Sequence, residues 1–67
     1  MLKIVLNGEN HTVSNDCTAA QLIESLDLGA INLALEINGE IIPRSDYPRT
    51  GVNAGDKVEI IHAVGGG

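Results

Sequence analysis

Two Asn-Gly dipeptides, Asn7-Gly8 and Asn38-Gly39, each follow a run with strand character and mark two places where the chain must fold back on itself. A type I′ hairpin turn needs positive φ at both central residues, and Asn followed by Gly meets that demand at the least steric cost. Before the first turn, Leu2, Ile4 and Leu6 alternate onto one face; before the second, Leu33, Leu35 and Ile37 do the same. The first return strand is predicted at about His11–Ser14, with an extra residue or two in the turn. The second is predicted as a short edge strand at Ile41-Ile42, stopped by Pro43. The two Asn-Gly-Glu triplets are two turns and not a duplicated domain.

Between the hairpins a helix is predicted to start at Thr18. Thr18-Ala19-Ala20-Gln21 matches a capping box, in which hydroxyl and side-chain amide each satisfy a free backbone N–H. Leu22, Ile23 and Leu26 form its apolar stripe, extended by Ala19, and Gly29 suits the left-handed position past its end. The helix spans about ten residues, near the length below which only tertiary packing holds it. Pro43 to Thr50 reads as irregular chain with a turn of 3₁₀ helix. Asn53-Ala54-Gly55-Asp56 is the last turn, and Lys57 to Val64 the last strand. Val58, Ile60 and Val64 lie on one of its faces, Ile61 and Ala63 on the other, as expected of an interior strand. The order ββαβ(β)β is that of an α+β β-grasp fold: a mixed four- to five-stranded sheet with one helix across one face. The pattern by itself also allows a split βαβ arrangement. The predicted core is Leu2, Ile4, Leu6, Leu22, Ile23, Leu26, Leu35, Ile37, Val58 and Ile60. Residues 1–64 make one domain, and residues 65–67 a flexible C-terminal glycine tail.

A chain of 67 residues has room for one small domain and a thin core, not for a deep catalytic cleft beside a scaffold. Its net charge of −5 repels phosphate backbones, and its one aromatic residue offers no stacking platform, so nucleic-acid binding is not expected. A basic patch on a protein partner is attracted instead. The single Cys17 excludes an intramolecular disulfide, on which small secreted domains usually depend. Met1-Leu2-Lys3 runs straight into a strand pattern with no signal peptide, and no apolar run spans a membrane. The expected setting is the reducing cytoplasm, away from membranes.

The candidate site is the end Val64-Gly65-Gly66-Gly67. Three glycines reach about 10 Å when extended, and without Cβ atoms they thread a narrow channel. They present the α-carboxylate of Gly67 on a thin arm, accessible to an enzyme that activates carboxylates as acyl-adenylates. The plain alternative is a frayed terminus. Cys17 precedes the helix cap, where a helix N-terminus lowers a thiol pKa, yet a packed residue at N′, stapled to Leu22, is the expected role. His11 and His62 bind a metal only if the sheet brings them together, and no metal site is expected. Arg44 and Arg49 flank Tyr47 in one short segment; these residue types anchor protein interfaces, whereas pairing with Asp46 is the ordinary alternative. No GxSxG, P-loop or CxxC motif is present, so catalytic residues are not expected and no cofactor is expected to bind.

The order of elements, the stretch Ala34-Leu35-Glu36-Ile37-Asn38-Gly39-Glu40-Ile41-Ile42-Pro43-Arg44, the later Gly55-Asp56-Lys57-Val58-Glu59-Ile60 and the Val64-Gly65-Gly66-Gly67 end resemble the ThiS family of ubiquitin-like β-grasp sulfur carriers of thiamine biosynthesis. The resemblance covers essentially the whole chain. Its diglycine end is shared by all such carriers; the Ile-Pro-Arg segment followed by an aromatic, here Tyr47, is more specific. It sets the chain apart from the molybdopterin-synthase small subunit, which is usually longer. A third glycine departs from the family's pair, so Gly66-Gly67 match the shared motif. The resemblance implies that an E1-like adenylyltransferase of ThiF type uses ATP to adenylate Gly67. Sulfur from a persulfide enzyme then displaces AMP, and a ThiG-type thiazole synthase takes it from the resulting thiocarboxylate. Gly65 and Gly66 thread the partner's active site, with Arg44, Tyr47, Arg49 and Val64 as candidate docking residues. The chain is then a cosubstrate and not an enzyme. Two other readings stay open: a sulfur carrier for molybdopterin or a sulfur amino acid, and a β-grasp binding module with an inert tail.

Overall fold

A computed structural model describes residues 1–26 and 33–62 of the chain. The apolar alternation makes β1 (Leu2–Leu6), which buries Ile4 and half-buries Leu2 and Leu6. β2 (Glu9–Val13) pairs with it antiparallel, from Leu2 opposite Val13 to Leu6 opposite Glu9. Only Asn7 and Gly8 lie between the strands, at φ 49° and 82°, which is the type I′ requirement met without an added residue. The return strand thus begins at Glu9, ahead of the expected His11, and ends at Val13. The reason is that β2 is an edge: Glu9, Asn10 and Thr12 are exposed, so no alternation marks where the strand starts.

The second hairpin repeats this geometry. β3 (Leu33–Ile37) and β4 (Glu40–Ile42) pair antiparallel with Ile37 opposite Glu40, and Asn38 and Gly39 sit at φ 53° and 85°. β5 (Lys57–His62) lies between the hairpins, parallel to β1 and antiparallel to β3, giving the order β2-β1-β5-β3-β4. The chain is therefore an α+β β-grasp with a mixed five-stranded sheet and β5 in its interior, as the apolar residues on both faces of that strand predict. The last turn holds Gly55 at φ 84°, from which Gly55 N donates to Lys3 O at 2.8 Å.

Helix α1 (Ala19–Ser25) begins as expected. Thr18 N donates to Gln21 Oε1 at 3.0 Å and Gln21 N to Thr18 Oγ1 at 3.2 Å, closing the capping box. Ala19 N, another donor that the helix leaves free, reaches Thr50 O at 2.8 Å. The helix is shorter than predicted: Leu26 is its C-cap, and Ser25 Oγ donates to Leu22 O at 2.7 Å, a side-chain bond that competes with the regular ladder. Gly29, the predicted left-handed terminator, lies outside the described residues.

All ten predicted core residues lie in or against one cluster, with Leu22, Leu35 and Val58 fully buried. Val13, Cys17, Ala19, Tyr47 and Val52 are its other buried members. The 3₁₀ segment spans Arg44–Arg49, longer than the single turn expected, and Val52 N then donates to Cys17 O at 2.9 Å, strapping its exit to the start of α1.

Candidate functional site

The element that leads toward the glycines is β5, and two side chains from the hairpin turns hold it. Ile60 N donates to Asn7 Oδ1 at 2.8 Å, and Lys57 N donates to Asn38 Oδ1 at 2.9 Å. Asn38 Nδ2 donates in turn to Asp56 Oδ1 at 3.1 Å, while Asp56 Oδ2 accepts from Asn53 N at 2.8 Å. The buried Asp56 is thus satisfied on both oxygens at the residue just before β5 begins. Sequence reasoning found the turns but missed these contacts. The Asn-Gly signal concerns local backbone only, whereas Asn7 reaches a residue 53 positions away. Val64, Gly65, Gly66 and Gly67 lie outside the described residues.

The sheet face away from the helix carries a second feature that the sequence left unassembled. Glu36 stands directly opposite Glu59 in the β3–β5 register, with Ile41 opposite Glu36 on the other side and Ile61 two residues beyond Glu59. Ile41 is 65% exposed and Ile61 55% exposed. Like charges opposite one another weaken a sheet. The alternation of β3 and β5 implied both outward carboxylates; only their pairing register brought them together.

Of the expected docking residues, Arg44 and Arg49 are exposed. Arg49 Nε lies 3.4 Å from Asp46 Oδ1 and Arg49 Nη2 donates to Ser45 O at 3.5 Å, so its guanidinium folds back on its own segment. Arg44 makes no ion pair among the described residues. Tyr47 is only 8% exposed and belongs to the core. It offers a partner almost no surface and instead anchors the segment that displays both arginines.

Cys17 is 6% exposed, and its Sγ donates to Thr18 O at 3.3 Å. Burial pushes its thiol pKa up, against the lowering that a helix N-terminus brings. Cys17 and Leu22 share the core cluster as N′ and N4 of the helix, the positions of a hydrophobic staple. His11 pairs with Ile4 on the β2 edge, whereas His62 pairs with Leu33 on the far side of β1. From Ile4 to the level of His62 is about 20 Å along the strands at ~3.3 Å per residue, so the two backbone positions build no common site. No group of three His, Cys, Asp or Glu side chains among the described residues is placed to hold a metal ion. No helix among them is long and apolar enough to cross a membrane.

A β-grasp body followed by a run of glycines is an arrangement that known proteins share. The ThiS family model matches residues 4–67, which includes the terminal glycines. The chain belongs to the ThiS family. The ThiS crystal structure from Geobacter metallireducens, a thiamine biosynthesis protein, superposes with a TM-score of 0.84 at 29% identity, covering 98% of this chain and all of that one. Sulfur carrier protein ThiS of Escherichia coli is 29% identical over 66 residues, which span 98% of this chain and the whole of that protein. A thiazole synthase of Paramagnetospirillum magneticum is 41% identical over 66 residues, and there the chain spans only 20% of the relative's length. The ThiS match thus covers both the β-grasp body and the glycine end, and it makes this chain a member of a family of small sulfur carriers.

Proposed function

We propose that the chain carries sulfur as a thiocarboxylate at Gly67 and delivers it to thiazole formation in thiamine biosynthesis. The observation that carries this reading is a ThiS family match that runs through the last glycine. In this mechanism a carboxylate oxygen of Gly67 attacks the α-phosphorus of ATP within an E1-like adenylyltransferase, and pyrophosphate leaves. The terminal sulfur of a cysteine persulfide attacks the resulting acyl-adenylate and AMP leaves; a thiol then cleaves the acyl disulfide so formed, releasing the thiocarboxylate and becoming oxidised to a disulfide. The chain supplies no acid, base or metal; it supplies the substrate carboxyl group and a handle by which enzymes grip it.

Residues 1–64 form the body in this reading, and residues 65–67 the arm, with Gly65 and Gly66 enclosed by the partner. Exposed Arg44 and Arg49, on the segment that Tyr47 anchors, give an otherwise acidic chain a basic docking spot, with Val64 as the apolar contact at the base of the arm. The likeness to a thiazole synthase favours that enzyme as the acceptor over molybdopterin or sulfur amino acid pathways. Cys17 is poorly suited to carrying the sulfur, because it is buried and burial keeps its thiol protonated.

The test is ATP–pyrophosphate exchange catalysed by the adenylyltransferase in the presence of the chain. Wild type supports exchange. Deleting Gly67 leaves a glycine end one residue short and cuts exchange steeply. Gly66→Val cuts it further, because a β-branched side chain fills the channel and restricts the backbone. Misplacing the carboxylate by about 1 Å costs on the order of a hundredfold in rate. Undiminished exchange with Gly66→Val contradicts the proposal.

A further inference from the structure

The two Asn-Gly turns share a sequence and a backbone conformation, but their side chains are used differently. Among the described residues, the Asn7 side chain works only as an acceptor, through Oδ1 to Ile60 N. Asn38 works as acceptor and donor together: Oδ1 receives Lys57 N at 2.9 Å and Nδ2 gives a hydrogen to Asp56 Oδ1 at 3.1 Å. Its backbone N also donates to Lys57 O at 2.7 Å. A carboxylate can replace the first amide without losing its bond. It cannot replace the second, because it has no hydrogen to give and would face the Asp56 carboxylate.

Asparagine before glycine is also where an amide side chain is most open to attack by the following backbone nitrogen, since glycine has no Cβ to hinder the approach. Apart from its two chain neighbours, nothing lies within 4 Å of where a Cβ would stand at Gly39. Gly39 N attacks Asn38 Cγ, a C–N bond forms, the nitrogen gives up its proton and ammonia leaves, closing a succinimide. Water then opens the ring at either carbonyl, giving aspartate or β-linked isoaspartate. Water enters, ammonia departs, and nothing is oxidised or reduced.

We propose that Asn38 is a modification site at which deamidation irreversibly unlocks the start of β5, whereas conversion of Asn7 to aspartate leaves that strand held. The aspartate product sets two carboxylates against each other at the entry of β5, with Glu40 lining the same groove and no Lys or Arg lining it among the described residues. The isoaspartate product adds a backbone carbon to a loop that has only two residues between Ile37 and Glu40. The native bonds hold the side chain in place, so ring closure proceeds through an opened hairpin and the folded protein ages more slowly than the unfolded one.

Asn7→Asp, Asn38→Asp and the exchange variant Asn38→Asp/Asp56→Asn test this by urea unfolding followed with circular dichroism. Asn7→Asp should keep a midpoint near wild type. Asn38→Asp should raise the unfolded-to-folded ratio by roughly ten- to a hundredfold, the usual worth of a lost charged hydrogen bond. The exchange variant, which restores one donor facing one acceptor, should recover most of that loss. In parallel, wild type is held at mildly alkaline pH and mapped by peptide mass spectrometry. Modified residue 38 should accumulate, faster in urea than in buffer, and should concentrate in the less stable fraction. Equal midpoints for Asn7→Asp and Asn38→Asp, no recovery in the exchange variant, or no conversion at Asn38 in the unfolded chain would each overturn the proposal.

Discussion

Leu22→Ala probes the contact on which the fold depends. Leu22 is 0% exposed, sits in the middle of α1 and belongs to the cluster that includes Ile4, Leu35, Val58 and Ile60 on the strands. The substitution removes the isopropyl end of a fully buried side chain. At ~0.8 kcal/mol per buried CH₂ that loses about 2.4 kcal/mol in transfer alone, and the cavity left behind brings the total to about 3–5 kcal/mol. A 67-residue domain at roughly 0.05–0.15 kcal/mol per residue has a total stability of about 3–10 kcal/mol. The variant should therefore be marginal or unfolded at about 25 °C. Urea titration followed by far-ultraviolet circular dichroism, and by the fluorescence of Tyr47 as the one aromatic residue, reads the loss. Leu26→Ala, at the half-buried C-cap, should cost less than Leu22→Ala. A loss below about 1 kcal/mol for Leu22→Ala would refute a core built on the helix–sheet contact.

Cys17→Ser should still accept sulfur in a reconstituted system, and complete loss of transfer with an intact fold would contradict the assignment to Gly67. Because burial raises the Cys17 pKa in the native state, the folded chain keeps a proton that the unfolded chain loses above about pH 8.5. Stability should fall as pH rises from there toward the folded value, a slope that Cys17→Ser removes in urea titrations across that range. Glu59→Lys should raise stability by about 0.2–1 kcal/mol by turning the facing Glu36–Glu59 pair into an attractive one, and a lower urea midpoint would argue against that register. The adenylyltransferase and the thiazole synthase should compete for the chain, since both receive a tail that reaches about 10 Å, and a ternary complex in gel filtration would contradict shared docking.

The features legible from sequence were those set by neighbours along the chain. Thr18 and Gln21 cap the helix within one turn, Asn-Gly demands positive φ at its own two positions, and alternation in β1, β3 and β5 reports which face is buried. What escaped depends on partners far away in sequence. β2 gives no alternation because an edge strand buries only Val13 fully. Tyr47, followed by proline and arginine in a polar stretch, is pulled into the core because the Cys17–Val52 strap folds that stretch against α1. Asn7 and Asn38 read in sequence as turn residues only, yet the side chains of both reach β5. The parallel β1–β5 pairing also depends on residues far apart in sequence, since the pattern of elements alone allows a split βαβ arrangement as well, and the backbone bonds Val5 N to Asp56 O and Asn7 N to Val58 O, each 2.9 Å, supply its physical basis.

Intact-protein mass spectrometry tests the central claim most directly. The chain is incubated with ATP, the adenylyltransferase, a persulfide sulfur source and a thiol reductant, then digested and mapped. The account predicts an ATP-dependent mass gain equal to one oxygen replaced by sulfur, located on the peptide that ends in Gly67, present in wild type and Cys17→Ser and lost in Gly66→Val. A gain that maps to the peptide containing Cys17, or that persists undiminished in Gly66→Val, would contradict it.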